Sequence, residues 1–496
     1  MAEKPNILLI SADHLDWHTI CNRSECKTPR MTRFAEQGIS FERSYTPISL
    51  CCPARAMLLS GAYPWHNGVF NQVHVPESTH PDMFPDVITY SHRLGDVGYE
   101  RAYVGKWHAS QVRGPEDFGY RVLSVEGRKG DEPRLVDPQY VTWPGGDRFL
   151  MWAGVEGAED DLPEKRLADA AIEGVRDLTE GENPWLFEVH FPQPHDSYTP
   201  LLKYLDQYSP EEVELPRSYY EETFEGKPAL LEREAEGWAE LSEEEFREGL
   251  RHYYAYCTQL DVQIGRVLDV LDESGRAEDT LVVLACDHGD LVGAHRMFIK
   301  GWMPYEETHR IPMAARWPGV IEPGSSTDAL VHLHDWAHTF VSLAGAEPLP
   351  HAGGKDLSPL LRDPEAAEPE MPDHILNVYY GGELLYTQRI AIGQRYKYVF
   401  NGFAQDELYD LQEDPDELHN VIDDEEYAEA VRQTRDALWE LMMQHDDPYA
   451  QHRYGAPRYL EGHSEGKDLE YRQSKAEDFR GRTWLDRWKW LTEGRD

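Results

Sequence analysis

Asn6-Ile7-Leu8-Leu9-Ile10-Ser11-Ala12-Asp13-His14 sets the reading of the whole chain. The run Asn6 to Ile10 is short, mainly apolar and without polar alternation, as in a parallel strand covered on both faces. It stops at a carboxylate and an imidazole. Thr280 to Ala285 repeats the pattern and stops at Cys286-Asp287-His288-Gly289-Asp290, and Trp185 to Phe191 supplies a third run. Just before Thr280, residues Tyr253, Cys257, Leu260, Ile264, Val267, Leu268 and Leu271 recur at helical spacing. Strands alternating with amphipathic helices predict an α/β fold built on a large, mostly parallel sheet. Ligands of such sheets gather beyond the carboxyl ends of the strands, so Asp13, His14, Asp287 and His288 are expected to converge there. Carboxylates that converge repel one another unless a cation lies between them, and hard oxygen ligands favour Ca²⁺ or Mg²⁺.

A second stretch, Ser49-Leu50-Cys51-Cys52-Pro53-Ala54-Arg55 continuing to Leu58-Leu59-Ser60-Gly61, carries a different chemistry. Pro53 suits the first turn of a helix, where its missing N–H costs nothing. On that helix Arg55 lies four residues after Cys51 and shares its face. The helix start and the permanent guanidinium charge together favour an anion at the sulfur. Read without any further site, the same residues describe two buried thiols in a proline-initiated helix.

The chain has 496 residues and a formal net charge of -43. That length exceeds what one core usually supports and predicts a large domain with a smaller companion. Residues 346–373, rich in Pro, Gly and Glu, read as a linker. This divides the chain into a catalytic domain over 1–370, a smaller C-terminal α+β domain over 371–450, and an extension over 451–496. His374 to Tyr380, Gln388 to Ile392 and Tyr396 to Phe400 read as strands of the smaller domain, followed by Leu408-Tyr409-Asp410-Leu411 and a helix from Glu425 to about His445. The acid-rich residues 211–248 read as a solvated helical insertion. In the extension, Trp484, Trp488 and Leu491 at helical offsets suggest docking onto the body or onto a second copy of the chain. The negative charge opposes binding to nucleic acid or anionic membranes, and the N-terminal apolar run is too brief to span a bilayer or form a signal-peptide core. Six cysteines without a regular framework suggest a reducing compartment, so the expected location is cytoplasmic.

Cys51-x-Pro53-x-Arg55 with Ser60-Gly61 resembles the signature of type I, formylglycine-dependent sulfatases of the alkaline phosphatase superfamily. Val104-Gly105-Lys106-Trp107-His108, the Pro194-His195 step and Lys300 match further segments of that family in order, and the likeness runs from Pro5 to Pro448. The resemblance implies a large sheet sandwiched by helices, and a maturation enzyme that oxidises Cys51 to formylglycine. It implies a divalent metal, usually calcium, with Mg²⁺ or Mn²⁺ as alternatives, held by Asp13, Asp287, His288 and residue 51. His14 stands where the family commonly has Asp and is carried as a fifth candidate ligand. It further implies that Lys106 and Lys300 hold sulfate oxygens and that Arg55 favours the ionised nucleophile. His195 becomes the general acid, with an imidazole pKa suited to neutral pH, and His108 the base. The implied activity is hydrolysis of sulfate monoesters, small carbohydrate or aryl sulfates being the expected substrates, with Trp65, Tyr198, Trp302 and Tyr379 as candidate stacking rings. A phosphonate monoester or phosphodiester hydrolase of the same superfamily is the competing enzyme, against which Lys106 and His108 weigh. An unmodified protein that only binds sulfated ligands is the non-enzymatic alternative.

Overall fold

The computed structural model describes residues 4–451 apart from residues 22, 76–77, 79, 126–133, 143–147, 352, 382–385 and 403. Its centre is an eight-stranded sheet made of β1 (Asn6–Asp13), β2 (Ile39–Phe41), β3 (Glu100–Gly105), β4 (Arg121–Val125), β5 (Trp185–Pro194), β6 (Thr280–Cys286), β7 (Ala314–Arg316) and β8 (Ser325–Thr327). The strand order is β8-β2-β7-β6-β1-β5-β3-β4. Every pairing is parallel except those of β7, which runs against both β2 and β6. β1 lies in the middle with all eight residues buried, as expected for an apolar run covered on both faces. It pairs with β6 in a register that sets Ala12 opposite Cys286, and Gly105 of β3 lies opposite His190 of β5. The carboxyl ends of β1, β3, β5 and β6 therefore share one edge of the sheet.

Three helices matter for that edge: α1 (Cys51–Ser60), α2 (Pro163–Glu180) and α3 (Glu243–Glu273). All ten residues of α1 are buried, so it is enclosed on every side and needs no polar face. Pro53 falls in its first turn, and Gly61 closes it at φ 65°, its N–H donating to the Met57 carbonyl at 2.8 Å. α2 turns Leu167, Ala171, Val175 and Leu178 inward and packs against α3, β3, β4 and β5. The long α3 starts at a capping box in which Ser242 and Glu245 satisfy each other's backbone N–H groups.

Two expectations change. Residues 211–248 are not one solvated helix. They break into Arg217–Glu221, Ala229–Glu236 and the start of α3, anchored by buried Leu231, Trp238 and Leu241 and by a buried Glu222–Lys227 ion pair. The stretch 346–373 is a packed connection, because Leu349, Leu357, Leu360 and Leu361 are buried and short helices form over Ser358–Arg362 and Pro364–Ala367.

Beyond it, β9 (His374–Tyr379), β10 (Gln388–Gly393), β11 (Tyr396–Phe400) and β12 (Glu407–Asp410) form an antiparallel meander, with α4 (Ala428–Gln444) packed against its first three strands. The meander is joined to the large sheet's body by hydrogen bonds from Val378 N to the Pro47 carbonyl, 2.9 Å, and from the Tyr63 hydroxyl to the Leu376 carbonyl, 2.8 Å. Trp484, Trp488 and Leu491 lie outside the described residues. No helix among the described residues is long and apolar enough to cross a membrane.

Candidate active site

Cys51 opens α1 with its sulfur, wholly buried, facing the strand ends. The sulfur lies 3.1 Å from His288 Nε2 and 3.8 Å from Asp13 Oδ1, while Gln72 Nε2 approaches it at 3.7 Å. Burial alone would push the thiol's pKa up. Lys106, Lys300 and His288 outweigh it and hold the group well below its ordinary value, so the cavity favours an anion at this position.

Arg55, one helical turn on, braces the carboxylates. Its Nε donates to Asp287 Oδ2 at 2.9 Å, one terminal nitrogen lies 3.3 Å from Asp13 Oδ2, and the other donates to the Lys106 carbonyl at 3.1 Å and to His190 Nδ1 at 3.2 Å. An arginine only donates, so His190 accepts on Nδ1 and gives its Nε2 proton to Glu188, 2.9 Å away. Glu188 in turn accepts from the hydroxyls of Tyr90 and Tyr120. Lys106 forms a buried ion pair with Asp13. Burial and the Cys51 sulfur push Asp13 up, yet Lys106 and Arg55 prevail and keep its carboxyl far below the usual range.

The candidate metal ligands come together in a graded way. Asp13, His14, Cys51 and His288, all buried, present ligand atoms within 4.8 Å of one another. Asp287 is the neighbour of that group: its Oδ1 lies 3.9 Å from His288 Nε2, and its Oδ2 holds Arg55. His14 shows how the departure from the family pattern is accommodated. Its Nδ1 is bonded to Asp290 Oδ2 at 2.8 Å, and its Nε2 is buried without a hydrogen-bond partner among the described residues. Burial, followed by the charges of His195, Lys300 and His288, lowers the pKa of this imidazole. A neutral ring that donates through Nδ1 presents a lone pair at Nε2, which is what a carboxylate-oriented histidine ligand offers a cation. The donor set therefore fits a divalent metal.

His195 and Lys300 close the site from another side, with Lys300 Nζ 3.2 Å from His195 Nε2 and Asp196 Oδ1 3.0 Å from His195 Nδ1. His108 Nε2 lies 3.0 Å from His74 Nδ1. Of the aromatic rings considered for stacking, Tyr198, Trp302 and Tyr379 are buried and Trp65 is half-buried. Tyr198 instead donates its hydroxyl to Asp290 Oδ2 at 2.8 Å.

Four groups escaped the reading of the sequence: Glu188, His190, Asp196 and Asp290. Glu188 and His190 did leave a signal, since two polar residues at i and i+2 inside a buried strand share one face and require partners. Asp196 directly follows His195 and Asp290 lies two residues after His288, but spacing alone does not say which carboxylate a given imidazole will meet.

The family model described as "Sulfatase" matches residues 5–346, and that for the C-terminal part of N-sulphoglucosamine sulphohydrolase matches residues 293–444. Among curated relatives, the "Uncharacterized sulfatase YidJ" of Escherichia coli strain K12 is 27% identical, covering 91% of this chain and 90% of its own. A choline-sulfatase of Rhizobium meliloti strain 1021 is 28% identical over 88% and 87% of the two chains. Among solved structures, a phosphonate monoester hydrolase of Agrobacterium radiobacter superposes with a TM-score of 0.73 at 21% identity, covering 89% of this chain and 96% of its own, a likeness of fold alone.

Proposed function

The chain belongs to the sulfatase family, a family of sulfuric ester hydrolases, and from that premise we propose that it hydrolyses a small sulfate monoester at residue 51 after that cysteine has become formylglycine. The observation that carries the reading is the placement of the Cys51 sulfur, buried where Lys106, Lys300 and His288 all favour negative charge. The hydrated aldehyde supplies the nucleophilic hydroxyl. A hard divalent cation, calcium first, would be held by Asp13, His14, His288 and residue 51 with Asp287 alongside, and would draw charge from a sulfate oxygen.

The chain's own residues do the rest. Lys106 and Lys300 hold sulfate oxygens and stabilise the charge that develops in the transition state. Arg55, fixed by Asp287, Asp13 and the His190–Glu188 pair, orients the carboxylates and keeps the nucleophile's surroundings cationic. His195 carries a proton toward the leaving oxygen, and His108 takes one up from residue 51 when sulfate departs. The leaving group is a small alcohol, phenol or sugar. The choline named for one relative falls within that class.

Paired steady-state assays on an aryl sulfate and a phosphonate monoester, with mass spectrometry of the residue-51 peptide from the native host, test the proposal. The expected result is an aldehyde mass and a higher kcat/KM on sulfate. A phosphonate preference of orders of magnitude, or thiol alone at residue 51, would overturn it. Chelation is expected to abolish activity and lower Tm, and added Ca²⁺ to restore both, because a cation bound only by the folded chain stabilises it.

A further inference from the structure

Beside the catalytic group lies a second cluster of metal-ligating side chains that the proposed reaction does not use as a unit. Cys52, next in sequence to Cys51, is turned about 100° around α1 from it and looks to a different neighbour. Its Sγ lies 3.9 Å from His74 Nδ1, which is itself 3.0 Å from His108 Nε2, and the three ligand atoms all fall within 4.8 Å of one another. The two imidazoles lie nearly parallel, centroids 4.6 Å apart at 21°. We propose that Cys52 Sγ, His74 Nδ1 and His108 Nε2 form a site for a zinc-type cation, and that its occupation silences the enzyme by engaging His108.

The distances match such a cation. Tetrahedral Zn²⁺ with bonds of roughly 2.05 Å to nitrogen and 2.3 Å to sulfur spaces two nitrogens by about 3.3 Å and nitrogen from sulfur by about 3.6 Å. The His74–His108 and Cys52–His74 spacings are each within a few tenths of an ångström of these values, and Cys52 Sγ and His108 Nε2, within 4.8 Å of each other, close the last side as the ligands draw in on the cation. One thiolate with two imidazoles selects a borderline cation such as Zn²⁺ over Ca²⁺ or Mg²⁺, so the site differs in preference from the carboxylate-bearing cluster around Asp13. Cys52 is buried whereas His74 is exposed, which provides a path for entry from solvent. Three protein ligands leave the fourth position to water. Binding displaces the proton of the Cys52 thiol to solvent and breaks the His74–His108 hydrogen bond, whose proton moves to the far nitrogen of the same ring so that both facing nitrogens present lone pairs; the His108 Nε2 lone pair, the group assigned to accept a proton during turnover, is thereby taken up. The inhibitory half of the proposal thus rests on the sulfatase reading, and the site itself does not.

The test uses Co²⁺ as a spectroscopic stand-in for Zn²⁺, added to the matured, calcium-loaded enzyme, in which residue 51 no longer carries a thiol. Expected are one further Co²⁺ per chain, a thiolate-to-cobalt charge-transfer band, and a loss of kcat of at least about tenfold that follows the band. Cys52→Ser should abolish the band. His74→Ala, a change at an exposed side chain, should weaken Co²⁺ binding at least about tenfold. Cys52→Ser should keep the activity measured without added Co²⁺, and both variants should lose the inhibition, read as the ratio of kcat with and without Co²⁺. Absence of the band, or its persistence in both variants, overturns the site; a band without inhibition overturns the regulatory half. If the band forms in an enzyme that cleaves no sulfate ester, the site stands and the sulfatase reading falls.

Discussion

Burial, the largest single influence, and Lys300 both push the His195 imidazole down, yet its pKa is raised to about 10. Asp196, 3.0 Å from Nδ1, and the Cys51 sulfur outweigh them. This differs from the neutral-range imidazole expected from residue type alone, and the reason is a carboxylate supplied by the next residue. Formylglycine at residue 51 removes the sulfur's share but leaves the Asp196 carboxylate in place, so the acid form is expected to persist through neutral pH and the alkaline limb of kcat/KM to lie above the ordinary imidazole range. Asp196→Asn removes the charge that favours the imidazolium, and the limb should move acidward by about one unit or more. A pH–rate profile of the variant checks it; an unmoved limb would show that His195 is not the acid. Lys106→Ala removes the cation that the proposed mechanism sets against the sulfate oxygens and should lower kcat by about 10²–10³, measured under saturating substrate.

At the level of elements, the site is the meeting of four strand ends with the first turn of α1. Three of those strands could be seen in advance, because β1, β5 and β6 are apolar runs of ordinary length. β3 begins with the charged pair Glu100-Arg101, while β2, β7 and β8 have three residues each, too few for any periodicity to register. Lys106 owes its place to β3. Gly105 has φ 104°, and a Cβ there would lie 1.9 Å from the His190 carbonyl oxygen, so only glycine lets β3 come this close to β5. The Lys106 N–H then donates to that same carbonyl at 2.9 Å. Gly105→Ala is expected to cost about 1–3 kcal/mol through backbone strain alone, read by urea denaturation, and to raise KM by displacing Lys106. Unchanged stability would refute the close-approach argument.

Across the whole molecule, the small sheet is tied to the large body by charge as well as by packing. Lys397 on β11 is fully enclosed and meets the Pro304 carbonyl at 2.7 Å, Glu306 at 3.1 Å and Glu417 at 2.5 Å. Glu306 also accepts from the Tyr45 hydroxyl at 2.9 Å, which reaches the chain just before α1. Among the described residues, Lys397→Met would leave buried Glu417 without its cation and Glu306 with only Arg310, 3.9 Å away, and should destabilise the fold by about 3–5 kcal/mol, measured as a fall in the denaturation midpoint. Glu306 and Glu417 are far apart in sequence and lie beside other acids, so nothing local marks them as partners of one lysine. That contrast holds generally for this protein. Hydrophobic periodicity and capping are local properties of the chain, so the strand ends that carry Asp13 and Asp287-His288, the helix that presents Cys51 and Arg55, and the residue types around them are legible from the order of residues alone. That Asp290 turns the His14 ring, that the Asp196 carboxylate favours the protonated His195, and that Cys52 faces His74 and His108 came only with the packed fold. Those are encounters between residues distant in sequence or between side chains whose direction depends on packing, and burial sets how strongly each charge is felt.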